Sequence, residues 1–363
     1  MHYLQKLLLF FTASVFFTAT VNDKNYYILL GRTEVLDNEK IALIGSAASV
    51  TFSFKGEECN VTLQTENSYE HHNFVSLELD GKYIGRLRIT EKAKVYNIPV
   101  PKGLSVHKLS ICKATEASVG TIVFHGAKAK LVHTQGATKP RKKIEFIGDS
   151  ITCGMGADTE EIPCGTDEWY DQHNAYFAYG PVTARSLKAG YLLSSVSGIG
   201  MYRNWNDEHK EEPIMPDVYG KLYLNFKGND TPYDFSFHPD VTCIALGTND
   251  FSDGDGTKTR LPFNEDKYVS NCISFINMLL KHTPDTQIVL LNSPMVTGEK
   301  SEIFIKCLER VQQAFKGKSN KPVKIFKFTA VIPHGCTYHP DINDHKAMAA
   351  QLTPFLNSIM HEK

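Results

Sequence analysis

The hydrophobic period changes once along this chain of 363 residues, and that change confines it to two differently built regions. From Asn25 to about Val132 apolar residues alternate with polar ones. Val50, Phe52 and Phe54 alternate with Thr51 and Ser53, and Val75, Leu77 and Leu79 run up to Asp80-Gly81, a hairpin signal. Further strand-like runs lie at Val106–Ile111 and Thr121–Phe124, and no long amphipathic helix interrupts them. Period-two segments separated by turns build antiparallel sheets with one buried face, so residues 25–133 are expected to form an all-β jelly-roll sandwich. The polar stretch 134–143 (TQGATKPRKK) reads as a linker.

After it, near-continuous apolar runs appear at Ile144–Ile147, Tyr191–Val196, Val241–Leu246, Ile288–Leu291 and Val323–Phe328. Helical patterns lie among them at Tyr176–Leu187, Tyr268–Leu280, Ile303–Phe315 and Lys346–Ile359. Strands that are apolar on both faces and alternate with helices belong to a parallel sheet covered on both sides. Residues 144–363 are therefore expected to be a three-layer α/β domain with a five-stranded parallel sheet. Sites in such sheets lie beyond the carboxyl ends of the strands.

The strand ends carry polar chemistry. The first run leads into Gly148-Asp149-Ser150-Ile151-Thr152, the second into Ser197-Gly198-Ile199-Gly200, the third into Gly247-Thr248-Asn249-Asp250, and the fifth is followed by Tyr338-His339-Pro340. Each is weak alone: a turn, a glycine, a loop histidine. Together, at successive strand exits, they supply a hydroxyl nucleophile with a base and donors for an oxyanion. Ser150 is the candidate nucleophile and His339 the candidate base. The backbone N–H groups of Ser150 and Gly198 and the side-chain amide of Asn249 are the candidate oxyanion hole. The GxSxG elbow of a different serine-hydrolase fold is absent around Ser150.

Charge and cysteine content narrow the setting. A formal net charge of -1 leaves no basic footprint for nucleic acid and suits an uncharged substrate. Lys6, the apolar run Leu7–Phe17 and the small residues Thr18, Ala19 and Thr20 have the form of a secretory signal peptide, here residues 1–20. Secretion or a periplasmic location is expected, with no membrane association after cleavage and a monomeric state. Eight cysteines are too few for a disulfide scaffold. Cys243, Cys272 and Cys307 read as buried apolar residues, while Cys153 and Cys164 flank one loop and could pair with each other. The His71-His72 pair reads as a solvated loop. No metal-ligand spacing is present, so neither metal nor other cofactor is expected.

The blocks GDSIT, SGxG, GTND and the late His-Pro segment resemble the four motif blocks of the SGNH (GDSL) hydrolases. The resemblance extends to carbohydrate esterase family two through Lys113–Ala117 (KATEA), Gly148–Gly156 (GDSITCGMG), Ser197–Asn204 (SGIGMYRN), Gly247–Phe251 (GTNDF) and Gly335–Leu352. It implies a jelly roll followed by an SGNH domain, an activity that removes O-acetyl groups from plant polysaccharide such as xylan or glucomannan, and the four site roles just given. One position departs from the superfamily pattern. An acid often stands two or three residues before the catalytic histidine, and here those positions hold Thr337 and Cys336. Some family members are similar in relying on a Ser-His dyad whose imidazole is oriented by a backbone carbonyl; that arrangement is the expectation here. Asp341 and Asp344 read as caps of the C-terminal helix, and His345 as one of its packing or surface residues.

Trp169, Tyr170, Tyr202, Arg203, Asn204 and Trp205 fall in or near the strand-exit loops, and Tyr202, Arg203, Asn204 and Trp205 are the candidate substrate contacts. The sandwich is expected to brace the catalytic domain. Two other classes stay open: an SGNH hydrolase acting on lipid or thioester acyl groups, and a catalytically weak glycan-binding relative.

Overall fold

A computed structural model describes residues 26–133 and 142–361. The expected signal peptide and most of the expected linker, 134–141, lie outside the described residues.

The first region is antiparallel throughout. Its strands are β1 (Ile28–Leu30), β2 (Thr33–Val35), β3 (Ile41–Leu43), β4 (Ser49–Glu66), β5 (His72–Leu79), β6 (Lys82–Thr90), β7 (Lys94–Pro99), β8 (His107–Lys113) and β9 (Thr121–Val132). They hydrogen-bond in the order β2-β3-β9-β4-β8-β5-β6, with β1 and β7 also paired to β4. The 18-residue β4 is the hinge of this jelly roll. Its first half pairs with β8 and its second half with β7, with a register shift between Lys55 and Asn60 where the strand passes from one side to the other. Phe52, Phe54, Val61, Leu63, Val75, Leu77, Ile111 and Phe124 fill the interior, the inward set that the period-two pattern marks.

The second region has five parallel strands, β10 (Lys143–Gly148), β11 (Gly190–Ser195), β12 (Val241–Ala245), β13 (Gln287–Leu291) and β14 (Lys324–Phe326), in the order β11-β10-β12-β13-β14. Four longer helices cover it: α2 (Tyr179–Ser186), α5 (Glu265–His282), α6 (Gly298–Ala314) and α7 (Ile342–His361). Two single-turn helices matter for the site, α1 (Ser150–Cys153) and α4 (Thr248–Phe251); a third, α3, spans Met215–Val218. Ile144 and Phe146 pack with Tyr179, Met348 and Leu352 of α2 and α7. Ile147 turns the other way and packs with Ile244, Phe275 and Leu308 beneath α5 and α6. Both faces are thus dry, as the apolar runs require. β10 lies between β11 and β12, so the chain winds first to one side of it and then to the other, the switch point at which open parallel sheets place a crevice at their carboxyl ends.

The two regions are locked together by a buried cation. Arg32, wholly buried, donates to the carbonyls of Lys221 (2.6 Å) and Tyr219 (3.0 Å) and to Ser194 Oγ (3.0 Å), and lies 4.2 Å from the centre of the Tyr233 ring. Ser194 passes its own hydrogen to the buried carboxylate of Glu145 at 2.7 Å. A desolvated charge this well satisfied makes a fixed junction rather than a loose tether. One loop reading is corrected here. His71 is exposed, but His72 opens β5 and is buried, its Nε2 2.6 Å from Asp171 Oδ1 across the junction.

Candidate active site

Ser150 stands where β10 ends. Asp149 caps α1 by accepting the Ile151 N–H at 3.0 Å, which turns the chain sharply and places Ser150 first in the helix, at the carboxyl rim of the sheet. Burial pushes the Asp149 carboxyl up to about 7. From the far end of the domain, the segment Gly335–Pro340 brings in His339. The Ser150 hydroxyl donates to His339 Nε2 at 2.7 Å, and His339 Nδ1–H donates to the Thr337 carbonyl at 2.8 Å. The second bond fixes the tautomer: with the proton on Nδ1, Nε2 is left as the acceptor facing the hydroxyl. Burial holds the imidazole's proton affinity below its ordinary value, against the opposite pull of the Thr337 and Cys336 carbonyls and the Glu116 carboxylate. This favours the neutral imidazole at neutral pH.

The turn that presents His339 is unusual. Thr337 and Tyr338 both have positive φ, 54° and 59°, a conformation disfavoured for residues with a Cβ. Tertiary contacts impose it. The N–H of Cys336 donates to the Gly156 carbonyl (2.9 Å), that of Gly335 to the His339 carbonyl (2.8 Å), and Cys336 is bonded through a disulfide to Cys164. The expected Cys153–Cys164 pair is thus replaced by Cys164–Cys336. Cys153 ends α1 facing inward, buried, and donates its S–H to Glu116 at 3.2 Å.

The other two blocks follow β11 and β12, the strands that flank β10 on either side. Asn249, in α4, is buried, and its Nδ2 donates one hydrogen to the Ile199 carbonyl at 2.8 Å, leaving the second available. Gly198 follows β11 with φ of 76°, and its carbonyl accepts the Trp205 N–H at 2.8 Å. The loop from Gly200 to Arg203 is shaped by Asp250, whose carboxylate accepts the N–H groups of Met201, Tyr202 and Arg203 at 2.8–3.2 Å. Only glycine fits at position 200, since a Cβ there would fall 1.9 Å from the Arg203 carbonyl oxygen. Burial raises Asp250 to about 6, although the three N–H donors pull it the other way.

Three of the candidate substrate contacts are already engaged in bonds to the protein. Arg203 is buried, its guanidinium donating to the carbonyls of Asp250 (2.7 Å) and Leu261 (2.6 Å) and to Glu208 (3.0 Å). The Tyr202 hydroxyl is buried and accepts the Asn264 N–H. The Asn204 amide accepts from the Gly200 N–H and donates to the Pro213 carbonyl, both at 3.0 Å. All three spend these polar groups mainly on neighbouring segments of the chain. Trp205 is exposed and flanks Gly198. A cavity of about 470 Å³ borders the loop, lined by Glu116, Trp169, Ser197, Ile199, Asn204 and Phe226 among others. Tyr170 is fully buried and is not part of that wall.

Downstream of His339 the two aspartates close a capping box on α7. Asp341 accepts the Asp344 N–H at 2.8 Å, and Asp344 accepts the Asp341 N–H at 3.1 Å. Asp344 also holds His334, so His334, Asp341 and Asp344 lie together with their ligand-capable atoms within 4.8 Å, already bonded to one another. His345 is buried and accepts the Tyr179 N–H on its Nδ1.

Sequence reasoning gave no role to Glu116, although it lies in the KATEA stretch. The signal was a Lys and a Glu at the end of a buried strand, where unpaired charge is costly.

A parallel sheet with these four blocks at its carboxyl rim defines an ester hydrolase of the GDSL class. Residues 144–352 match the GDSL-like Lipase/Acylhydrolase family, and the chain belongs to it. Residues 29–134 match the carbohydrate esterase 2 N-terminal domain, which places the chain among the family two carbohydrate esterases. Among relatives, an acetylxylan esterase / glucomannan deacetylase of Cellvibrio japonicus is 30% identical over 76% of this chain and 78% of its own length. The cellulase/esterase CelE of Acetivibrio thermocellus is 29% identical over 89% of this chain, which spans 38% of that protein. A solved family two carbohydrate esterase from Clostridium thermocellum, in complex with cellohexaose, superposes with a TM-score of 0.80 at 26% identity, covering 92% of this chain and 99% of that one.

Proposed function

We propose that the protein is a secreted, monomeric serine esterase that removes O-acetyl groups from plant cell-wall polysaccharide such as xylan or glucomannan. The observation that carries this reading is the relay from the Ser150 hydroxyl to His339 Nε2, with Nδ1–H on the Thr337 carbonyl. Ser150 Oγ attacks the acetyl carbonyl carbon as His339 takes its proton. The oxyanion that forms is met by the N–H groups of Ser150 and Gly198 and by the free Asn249 N–H. When the intermediate collapses, the C–O bond to the sugar breaks and the leaving hydroxyl recovers the proton from His339. Water, deprotonated by His339 in turn, attacks the acetyl-serine ester and releases acetate. Nothing in this sequence needs a metal. The Thr337 carbonyl substitutes for the missing acid as acceptor for Nδ1–H, with a dipole in place of a full charge.

The relatives' printed activities and the cellohexaose bound by a structural neighbour support carbohydrate as the substrate class. Among the described residues no helix is long and apolar enough to cross a membrane. The expected result is hydrolysis of 4-nitrophenyl acetate about tenfold or more faster than of 4-nitrophenyl palmitate, by kcat/KM. Acetate release from acetylated xylan, glucomannan and galactoglucomannan then ranks the polymers. Preference for the long chain would favour a lipid acylhydrolase. Binding of glycan without release of acetate would favour a non-catalytic relative.

A further inference from the structure

Glu116 belongs to the β domain but acts on the other one. It follows β8 in the stretch Lys113–Ala117, and the residue is 2% exposed. One carboxylate oxygen accepts the Ser197 N–H at 2.6 Å and the Cys153 S–H at 3.2 Å; the other accepts the Ser118 hydroxyl at 2.8 Å. Ser197 immediately precedes Gly198, and Cys153 is the last residue of the turn that opens with Ser150. A single buried carboxylate therefore ties together two of the segments that build the site, 81 and 37 residues away in sequence. Its own mount is stiff. The fully buried Lys113 donates to the carbonyls of Thr115 and Glu116 (3.3 and 2.5 Å), and the Ala114 carbonyl accepts the Ala175 N–H across the junction at 2.9 Å.

We propose that Glu116 is a positioning residue for the oxyanion hole, so that the β domain completes the active site as well as bracing it. Gly198 has no side chain to anchor it and needs a positive φ, so the direction of its N–H depends on what holds the neighbouring peptides. Trp205 N–H holds its carbonyl on one side; Glu116 holds Ser197 N–H on the other. A charge-assisted bond to a backbone N–H is stronger than a neutral one and keeps that group still while charge develops next to it. The proposal rests on the serine-esterase reading above.

The test is steady-state kinetics of the full chain on 4-nitrophenyl acetate, with active sites counted by a serine-directed organophosphate so that kcat refers to functional sites alone. Glu116→Gln keeps the shape, its amide oxygen facing the Ser197 N–H and the Cys153 S–H and its NH2 facing the Ser118 hydroxyl, which can turn to accept; what is lost is the charge that strengthens the bond to Ser197. The expected result is a fall in kcat per titrated site of about 10- to 100-fold, typical of a misplaced catalytic group, with KM within about twofold of wild type. Glu116→Asp keeps the charge but draws it back from the Ser197 N–H, and kcat should fall likewise. Wild-type kcat in either folded variant, or a loss confined to KM, overturns the proposal. An inactive wild type, or a Ser150→Ala protein as active as wild type, overturns the esterase reading instead.

Discussion

Ser150→Ala is expected to lower kcat on an acetyl ester by about 10⁶, the scale seen when the nucleophile of a serine hydrolase is removed, while the protein melts close to the wild-type temperature. The size follows from the geometry. In the proposed reaction the Ser150 hydroxyl, 2.7 Å from His339 Nε2, is the group that bonds to the acyl carbon, and the oxyanion donors would have nothing to stabilise without it. The small effect on folding follows from the same contacts. Removing this Oγ breaks a hydrogen bond to a half-buried imidazole and leaves the turn intact, because Asp149, not Ser150, supplies its side-chain cap. Thermal melting and steady-state kinetics on one preparation check both halves. A folded alanine variant with wild-type turnover would place the nucleophile elsewhere.

The second large effect is at Asn249. Asn249→Ala should cut kcat by about 10²–10³, as expected for loss of one oxyanion donor, and leave KM nearly unchanged. One amide hydrogen is committed to the Ile199 carbonyl, which orients the group before substrate arrives. In the proposed reaction the other meets charge that exists only after attack, so its loss should be felt in the transition state and hardly in the ground state. The same substitution also orphans the Ile199 carbonyl, a buried acceptor, so a stability loss of about 1–3 kcal/mol should accompany it. Comparison of kcat with KM, beside a denaturant titration, separates the two effects. A rise in KM with kcat unchanged would make Asn249 a ground-state substrate contact.

The architecture was readable because burial imposes its period directly on sequence. Phe146 and Ile147 face opposite dry layers, and no polar residue could replace either without cost; that is why an unbroken apolar run marks a central parallel strand. Ser150, Gly198 and Asn249 stand out for a related reason: each follows the end of a strand, whereas His339 is carried in by the segment Gly335–Pro340, well after β14 has ended. What escaped were relations between distant segments. The partner of Cys164 is 172 residues away, and nothing near Cys164 points to it rather than to Cys153. Thr337 has no local preference for positive φ; the Gly156 carbonyl and the disulfide at Cys336 impose it. Tyr202, Arg203 and Asn204 looked like a polar rim because residue type says nothing about which acceptors lie behind a loop. The acceptors proved to be the carbonyls of Asp250, Leu261 and Pro213, with the Asp250 carboxylate holding the loop's own N–H groups. Glu116 was hidden for the same reason, its main partner being on another domain.

Whether a backbone carbonyl alone orients the base is decided at the two aspartates that follow it. Asp341 and Asp344 are bonded to each other's N–H groups and Asp344 also to His334, while His339 Nδ1–H is committed to the Thr337 carbonyl at 2.8 Å. Asp341→Asn and Asp344→Asn should therefore leave kcat on 4-nitrophenyl acetate almost unchanged, with a stability loss of about 1 kcal/mol from the weakened cap of α7. The measurement is kcat per titrated active site for the two variants. Values close to wild type are the result expected of a Ser150–His339 dyad. A fall of orders of magnitude in either folded variant would make a downstream carboxylate the third member of a triad and contradict it.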